Sequence, residues 1–407
     1  MIDLADSQVR GWCPGALRPM ESGDGLIVRV RPRAGAIPLS AVGAICEAAI
    51  EFGNGHIDLT RRANLQIRGV RADTLQPLLD VLAAHRLLDT SPAAEAVRNI
   101  IVSPLAGADA GELIDMRPIA RMIETALATV ETLWALPAKF GFVLDGGGKP
   151  SLDGVRADIR LRAVRDQDRV AVAVTTDGAD GRLDRGGVPP EMAADAAISI
   201  VTAMLASPSR VESKTRLRQD GEGNIMHLGL LPQAHRQHPL ALAAPFGRVE
   251  ADVLLQLAHG ASDAGCLDLR LSPWRALYFV APTHAAAERL VARVRALALI
   301  VDASDPLLRV DACPGAPACS SATRSTRDVA HRVAGMLPGA TSIHVSGCAK
   351  GCARSSPADL VLVADDHGYA VIRDGRASSP PDFQIAADRL DTLPALLAKH
   401  AEAARHA

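Results

Sequence analysis

Hydrophobic positions along the chain fall into short alternating runs set between longer stretches with helical spacing. Gly25 to Val30 (GLIVRV) reads as a strand, and the Gly/Pro-rich turn PRAGAIP then leads into a helix over about Leu39 to Phe52, apolar at Val42, Ile45, Ala49 and Ile50. A second strand pattern runs through HIDLTRRANLQIRGV at 56–70, followed by a helix over about Thr74 to Ala84. This succession, roughly 65 residues long, is the pattern of a small ferredoxin-like half-domain.

The pattern returns further along. CLDLRLSPWRALYFVAP at 266–282 lies against HIDLTRRANLQIRGV so that Leu59, Thr60 and Leu65 meet Leu271, Ser272 and Leu277, and a helix over Thr283 to Leu297 follows as Thr74 to Ala84 does. Between the copies, helical segments at about 117–135 and 189–206 flank strand-like runs at 140–145, 157–164 and 169–175. An internal duplication explains this, and chance similarity of two amphipathic β-α segments is the competing account. A duplicated chain would bind its ligand between the halves.

Composition narrows the function. Of 407 residues, 48% are hydrophobic, enough for a large core and two to three domains. Lys and Arg number 44 against 46 Asp and Glu, so the net charge of -2 gives no bias toward nucleic acid or an anionic membrane. Aromatic residues are only 3%, which leaves few rings for stacking bases and a core built from Ala, Val, Leu and Ile. Only Lys139, Lys149, Lys214, Lys350 and Lys399 are lysines; the arginine excess fits either genomic base composition or a need for the planar carboxylate-binding fork. The opening MIDLADSQVRGWCPG is not a charged segment leading into an apolar one, and no run of about 18 uncharged apolar residues occurs, so a soluble cytoplasmic protein is expected.

Seven cysteines, an odd number, argue for thiol or metal chemistry over a secreted disulfide framework. Four cluster late in the chain: Cys313 and Cys319 in DACPGAPACSSATRST, and Cys348 and Cys352 in HVSGCAKGCARSSPADL. The pattern is C-x5-C, then C-x3-C after a long gap. Pro314, Gly315, Pro317, Gly347 and Gly351 would let such loops approach closely enough to place four thiolates round an iron–sulfur cube. Zinc, which usually takes tighter knuckles, and unligated thiols are the alternatives. Cys46, within an apolar helix, and Cys266, at the start of a strand, read as buried structural thiols. Cys13, in GWCPG, is open to either a structural role or an approach to the site from the N-terminal arm.

At these residues the sequence resembles the sulfite and nitrite reductase superfamily, whose members carry this cysteine pattern and two pseudo-symmetric halves. GWCPGALRPMESGDGLIVRVRPRAG, VDACPGAPAC and HVSGCAKGCA resemble more closely the cobalamin-pathway monooxygenases of that superfamily. The resemblance implies an α+β fold with duplicated sulfite/nitrite-reductase-like architecture. Its parts would be ferredoxin-like half-domains at 15–85 and 235–300 and α/β reductase-like domains at 90–210 and 305–402, the last binding a [4Fe-4S] cluster. It implies Cys313, Cys319, Cys348 and Cys352 as cluster ligands, with Cys352 matching the cysteine that bridges to sirohaem iron in the reductases. The reductase motif LTxRxxxQ stands here as Leu59 to Gln66 and points to Arg62; the Asn-Arg-Asn element is similar to Val97-Arg98-Asn99. Leu136-Pro137-Ala138-Lys139-Phe140-Gly141 resembles Leu-Pro-x-Lys-Phe-Lys.

Arg62, Arg98 and Lys139 are therefore the expected substrate-binding cations, and Lys139 the expected catalytic one. Gly141 departs from the family, where a second lysine helps hold and protonate a small oxyanion, and the departure argues for a larger substrate. The opposing reading makes Arg62, Arg68 and Arg98 ordinary salt-bridged residues on strands, and His227 and His344 packing residues. For the monooxygenases the resemblance implies precorrin-3A, a reduced tetrapyrrole with eight carboxylates, as substrate, with O2 supplying an oxygen atom at C20 and the ring A acetate closing a γ-lactone at C1. Arginine clamps suit such a molecule. A second mononuclear iron or sirohaem is left open, because no facial triad of two His and a carboxylate is visible. DGEGN and DGGG lack the strand-GxGxxG-helix context of a dinucleotide site, so electrons from NADH would come through an external reductase partner. A sirohaem-dependent assimilatory sulfite or nitrite reductase is the rival enzyme, and a noncatalytic iron–sulfur scaffold or tetrapyrrole carrier the rival class.

Overall fold

The run GLIVRV forms β2 (Gly25–Val30) behind a short β1 (Met20–Ser22), and β3 (Ala36–Pro38) leads directly into α1 (Leu39–Phe52), the span its periodicity predicts. β4 (His56–Leu59) and β5 (Leu65–Val70) make an antiparallel hairpin, and α2 (Leu75–Ala84) follows. Val42, Ile45 and Ala49 of α1 are fully buried, but Ile50 is 50% exposed, since one residue beyond Ala49 the helix has turned about 100° off the face those three share. The computed structural model describes residues 14–178, 181–206, 228–232, 237–337 and 341–405, with side chains to residue 400; Cys13 and His227 lie outside the described residues. These residues form two bodies, one running to Val301 and the other from Asp302 onward together with Ser22–Asp24.

In the first body the chain continues through α3 (Pro92–Val97), β6 (Ile100–Val102), α4 (Arg117–Thr129), β7 (Phe142–Asp145), β8 (Ile159–Asp166), β9 (Arg169–Gly178), β10 (Gly181–Val188) and α5 (Ala193–Ala206). It then repeats the opening pattern as β11 (Gly229–Leu230), β12 (His238–Ala243), β13 (Arg248–Glu250), α6 (Ala251–Asp263), β14 (Asp268–Leu271), β15 (Ala276–Ala281) and α7 (His284–Ala296). The strand orders β1-β2-β5-β4-β13 and β11-β12-β15-β14-β3 are the same order with β3 and β13 exchanged. Each half-domain's sheet takes its last strand from the other half. The reason is burial at both crossings, where Val249 lies opposite Ile57 and Leu269 opposite Ile37, all at most 3% exposed. Arg248 adds a two-pronged ion pair to Asp58 across the strand, at 2.6 and 3.0 Å. Because α1 and α6 pack in one shared core, the halves fold as one unit with each exchanged strand covering an edge.

The remaining sheet of this body has the order β10-β9-β8-β7-β6, parallel from β6 to β8 and antiparallel beyond. Helix α4 stops at Thr129, short of the expected 135, and a 3-10 turn covers Glu131–Ala135; α5 begins only at Ala193 because Pro189 and Pro190 hold the preceding turn. Strand β10 is exposed almost throughout and has no apolar alternation, so its sequence carries no strand signal.

The second body repeats this third sheet. Its strands β16 (Val310–Ala312), β17 (Ile343–Ser346), β18 (Ala358–Ala364), β19 (Gly368–Gly375) and β20 (Phe383–Ala386) are likewise parallel over the first three and antiparallel after, with α8 (Arg327–Met336) and α9 (Leu393–Arg405). The loops before α4 and α8, 103–116 and 313–326, have equal length. Their backbone bonds match too: Ser103 N–H to Leu144 O and Cys313 N–H to Val345 O, Glu112 N–H to Asp109 O and Ala322 N–H to Cys319 O, Leu113 N–H to Gly146 O and Thr323 N–H to Gly347 O. Among the described residues no helix is long and apolar enough to cross a membrane.

Candidate functional site

The four late cysteines sit on the two loops that leave β16 and β17 in the second body. Cys313 follows β16 directly and is buried, and its carbonyl accepts from Thr326 Oγ1 at 2.5 Å. Cys319 lies one turn further on, its amide bonded to Gly315 O at 2.8 Å. Gly315 has φ +67 and a Cβ there would stand 2.7 Å from the Thr326 amide, so only glycine makes this turn. Cys348 and Cys352 occupy the loop after β17, where Ser346 Oγ donates to Cys348 O at 2.7 Å. The Cys352 thiol is pushed up by partial burial and then by Cys348, Cys313 and Cys319, which marks all four sulfurs as neighbours. The Gly347 amide donates to Cys313 Sγ at 3.1 Å, the kind of N–H···S contact that stabilises a thiolate. Ser22 Oγ donates to Ala318 O at 2.8 Å, tying Ser22–Asp24 to the loop between the first two cysteines. Among the described residues no three His, Cys, Asp or Glu side chains converge on one point as a single ion requires. Four neighbouring thiols on two loops are a donor set that suits a soft metal centre.

The matching loops of the first body carry no thiol. By the paired backbone bonds, Ser103, Asp109, Gly147 and Ser151 stand where Cys313, Cys319, Cys348 and Cys352 stand. Carboxylates close this loop: Asp109 accepts from the amides of Gly111 at 3.1 Å and Lys149 at 2.5 Å, and Glu112 accepts from Gly107 N–H. Burial lifts Glu112 to about 7, the Gly107 amide opposing and Asp115 and Asp109 adding to the rise.

The expected cations belong to the first body. Arg62 sits in the β4–β5 turn and not on a strand. Thr60 Oγ1 accepts from the amides of Arg62 and Asn64 at 3.2 and 3.1 Å, and Ala63 takes φ +52, which together project Arg62 from the turn. Its guanidinium donates to the carbonyl of Lys139 at 3.2 Å, so two residues 77 apart in sequence are brought together. Asn99 holds the same segment, its side-chain amide donating to Ala138 O at 3.1 Å and Phe140 O at 3.0 Å. Asp158 closes the far end, accepting from Gly141 N–H at 2.8 Å while its own amide donates to Gly141 O at 2.9 Å. Four consecutive carbonyls, 138 to 141, are thereby fixed, and Lys139 stands exposed with no ion-pair partner among the described residues. Gly141 is not imposed by the backbone: a Cβ there would meet only Asn99 O at 3.6 Å and Lys139 O at 3.9 Å, ordinary contacts.

Arg98, expected at the substrate, is 3% exposed and engaged internally. It grips Asp89 at 2.8, 3.1 and 2.9 Å and donates to Pro32 O at 3.0 Å, with Glu124 at 3.6 Å. Burial opposes ionisation of Asp89, but Arg98 and Arg33 together hold it below the usual carboxylate range. This geometry makes Arg98 a brace for the segment that carries Asn99. Arg31 and Arg29 are buried beside it, and burial first, then those like charges, bring Arg31 down to about 10 despite Glu95. Glu95 in turn accepts from the amides of Ala16 and Leu17 at 2.6 and 3.0 Å, anchoring the entry segment. Cys46 and Cys266 are buried as expected, their thiols pushed up by burial to about 12 and about 11, and His344 is fully buried on β17. Asp158 carried no sequence signal, whereas Asn99 lay in the matched Val97-Arg98-Asn99 element, where attention fell on Arg98 and the bracing bonds of Asn99 were not foreseen.

A duplicated pair of strand-exchanged half-domains, two matching α/β sheets and four thiols on one of them define a protein of the sulfite and nitrite reductase type. The family model for the nitrite/sulfite reductase ferredoxin-like half-domain matches residues 18–85. The Mycobacterium tuberculosis NirA protein shares the fold, with a TM-score of 0.69 over 90% of this chain and 79% of that one at 19% identity. A sulfite reductase (ferredoxin) 2 from Mycolicibacterium paratuberculosis is 24% identical over 88% of this chain and 72% of its own. Precorrin-3B synthase from Sinorhizobium sp is 33% identical over 92% of this chain and 85% of its own length. The chain belongs to the precorrin-3B synthase family of that superfamily.

Proposed function

We propose that this protein is an oxygen-dependent monooxygenase converting precorrin-3A to precorrin-3B in aerobic cobalamin synthesis. The observation that carries the reading is the pairing of Arg62 with the Lys139 segment beside Gly141, in a chain 33% identical to precorrin-3B synthase over most of its length. A half-buried arginine and an exposed lysine next to a position without a side chain suit a large polycarboxylate. Arg62 binds a substrate carboxylate through the guanidinium N–H groups not spent on Lys139 O, and the Lys139 ammonium orients a second. Arg98, Asn99 and Asp158 hold these cations in place. Cys313, Cys319, Cys348 and Cys352 would hold a [4Fe-4S] cluster, which supplies electrons one at a time when bound. Those electrons come from NADH through a separate reductase, and any further iron or sirohaem is a matter for the test.

The test begins with an absorption spectrum of anaerobically purified protein and an acid-acetone extract assayed for sirohaem. Precorrin-3A, sulfite and nitrite are then offered separately with reductant, the first in air. Iron–sulfur absorbance with oxygen-dependent conversion of precorrin-3A supports the reading. Stoichiometric sirohaem with sulfite or nitrite turnover and none of precorrin-3A overturns it.

A further inference from the structure

Beside the Arg62–Lys139 pair lies the carboxyl of Asp158, which accepts a hydrogen bond from the Gly141 amide at 2.8 Å. It lies just before β8 and is half-buried, while the carbonyl of its own residue accepts from Asp177 N–H of β9 at 3.1 Å. The groups facing the carboxyl are the Gly141 amide, the Arg62 guanidinium from the β4–β5 turn and the Asp177 carboxylate from β9. Asp177 is itself 3.6 Å from Arg182 of β10. A carboxyl in this position is fixed at Gly141, where the absent side chain leaves space beside half-buried Arg62 and exposed Lys139.

We propose that Asp158 is the acid of this site, donating a proton to the oxygen that the substrate gains. The inference rests on the functional reading above. In that reaction O2, two electrons from the reductant and three protons act on the ionised substrate. The O–O bond and the π bond between C1 and C20 break: one oxygen atom bonds C20 and takes up a proton, the ring A acetate oxygen bonds C1, and the other atom of O2 leaves as water with two protons. Asp158 supplies the proton at the C20 oxygen and is reprotonated from solvent. Burial, the largest influence, lifts the carboxyl above its ordinary range; the Gly141 amide and Arg62 pull it back in part, and Asp177 adds to the rise. A carboxyl so lifted holds its proton further toward neutral pH.

Asp158→Asn separates ionisation from structure, because an amide oxygen still accepts from Gly141 N–H. In the reconstituted holoenzyme, kcat of the natural protein falls as pH rises through the Asp158 ionisation. Asp158→Asn removes that limb and lowers kcat about a hundredfold with little change in KM, the usual scale for loss of a general acid, and Asp158→Glu restores the limb. Thermal melting and anaerobic binding of precorrin-3A confirm that both variants are folded. A folded Asp158→Asn enzyme with the natural kcat and pH profile overturns the inference while leaving the function intact. Natural protein that neither binds nor converts precorrin-3A overturns the function, and the inference with it.

Discussion

Replacing Asn99 with alanine should loosen the loop that carries Lys139, and the size of the effect follows from its bonds. The Asn99 amide nitrogen donates to Ala96 O at 3.0 Å, Ala138 O at 3.1 Å and Phe140 O at 3.0 Å, and the residue is 7% exposed. Phe140 is 2% exposed, so its carbonyl is stranded without a donor. At about 1 kcal/mol for each of three neutral bonds, with a further penalty of at least about 1 kcal/mol for a stranded buried carbonyl, the loss should be about 4 kcal/mol. Urea denaturation followed by Trp134 fluorescence measures it, since Trp134 sits just ahead of the loop with its indole N–H bonded to Leu127 O at 3.0 Å. Freeing residues 138–141 also removes the acceptor that Arg62 uses. Losing one charge-assisted contact, worth about 1.5–3 kcal/mol, should weaken anaerobic binding of precorrin-3A by about tenfold or more. A loss below about 1 kcal/mol together with unchanged affinity would refute the idea that Asn99 positions the cations.

Other consequences are open to simple measurement. Arg248→Ala removes the closer of two arginines paired with Asp58, leaving Arg68 at 3.5 Å, and should cost about 1–2 kcal/mol in equilibrium unfolding, whereas a neutral result would mean that burial alone holds the exchanged strand. Glu112 is near 7 folded and near 4.5 unfolded, so the fold loses stability as pH rises between these values; Glu112→Gln should therefore raise the unfolding free energy in urea little at pH 4 and most above pH 7, by about 1–2 kcal/mol after allowing for its exposure. Gly347→Ala puts a Cβ 2.5 Å from Ala322 Cβ and 3.5 Å from Cys313 Sγ, so iron and sulfide per chain should drop sharply in analysis of the purified variant. Gly141→Lys brings a Cβ that meets no close contact and should leave stability to urea within about 1 kcal/mol of the natural protein while losing most precorrin-3A turnover; retained turnover would show that the space at 141 is not used.

What could be read in the residues themselves was whatever depends on local spacing. Helix α1 and strand β2 lie where the periodicity puts them, since a 3.6-residue or alternating apolar pattern determines which face can be buried. The repeat was legible for the same reason, because both copies need the same buried positions. The four cysteines could be picked out because thiolate spacing is a chemical constraint independent of fold. Strand β10 was not legible, having no buried face to leave a pattern. The arginine positions show the limit most clearly. Arg62 and Arg98 matched motifs equally well, yet Thr60 and a left-handed Ala63 project the first from a turn, while Asp89, Glu124 and the Pro32 carbonyl enclose the second.

Sequence alone determined the span of α1 and β2, the duplication, the thiol set and the family pattern, each a property of neighbours along the chain. Tertiary structure decided that β3 and β13 trade places, that Arg62 meets the backbone of Lys139, and that Asp158 joins them at Gly141. Those contacts link residues from 17 to about 230 positions apart, and what selects them is the closing of buried hydrogen bonds and apolar edges, which no local pattern records.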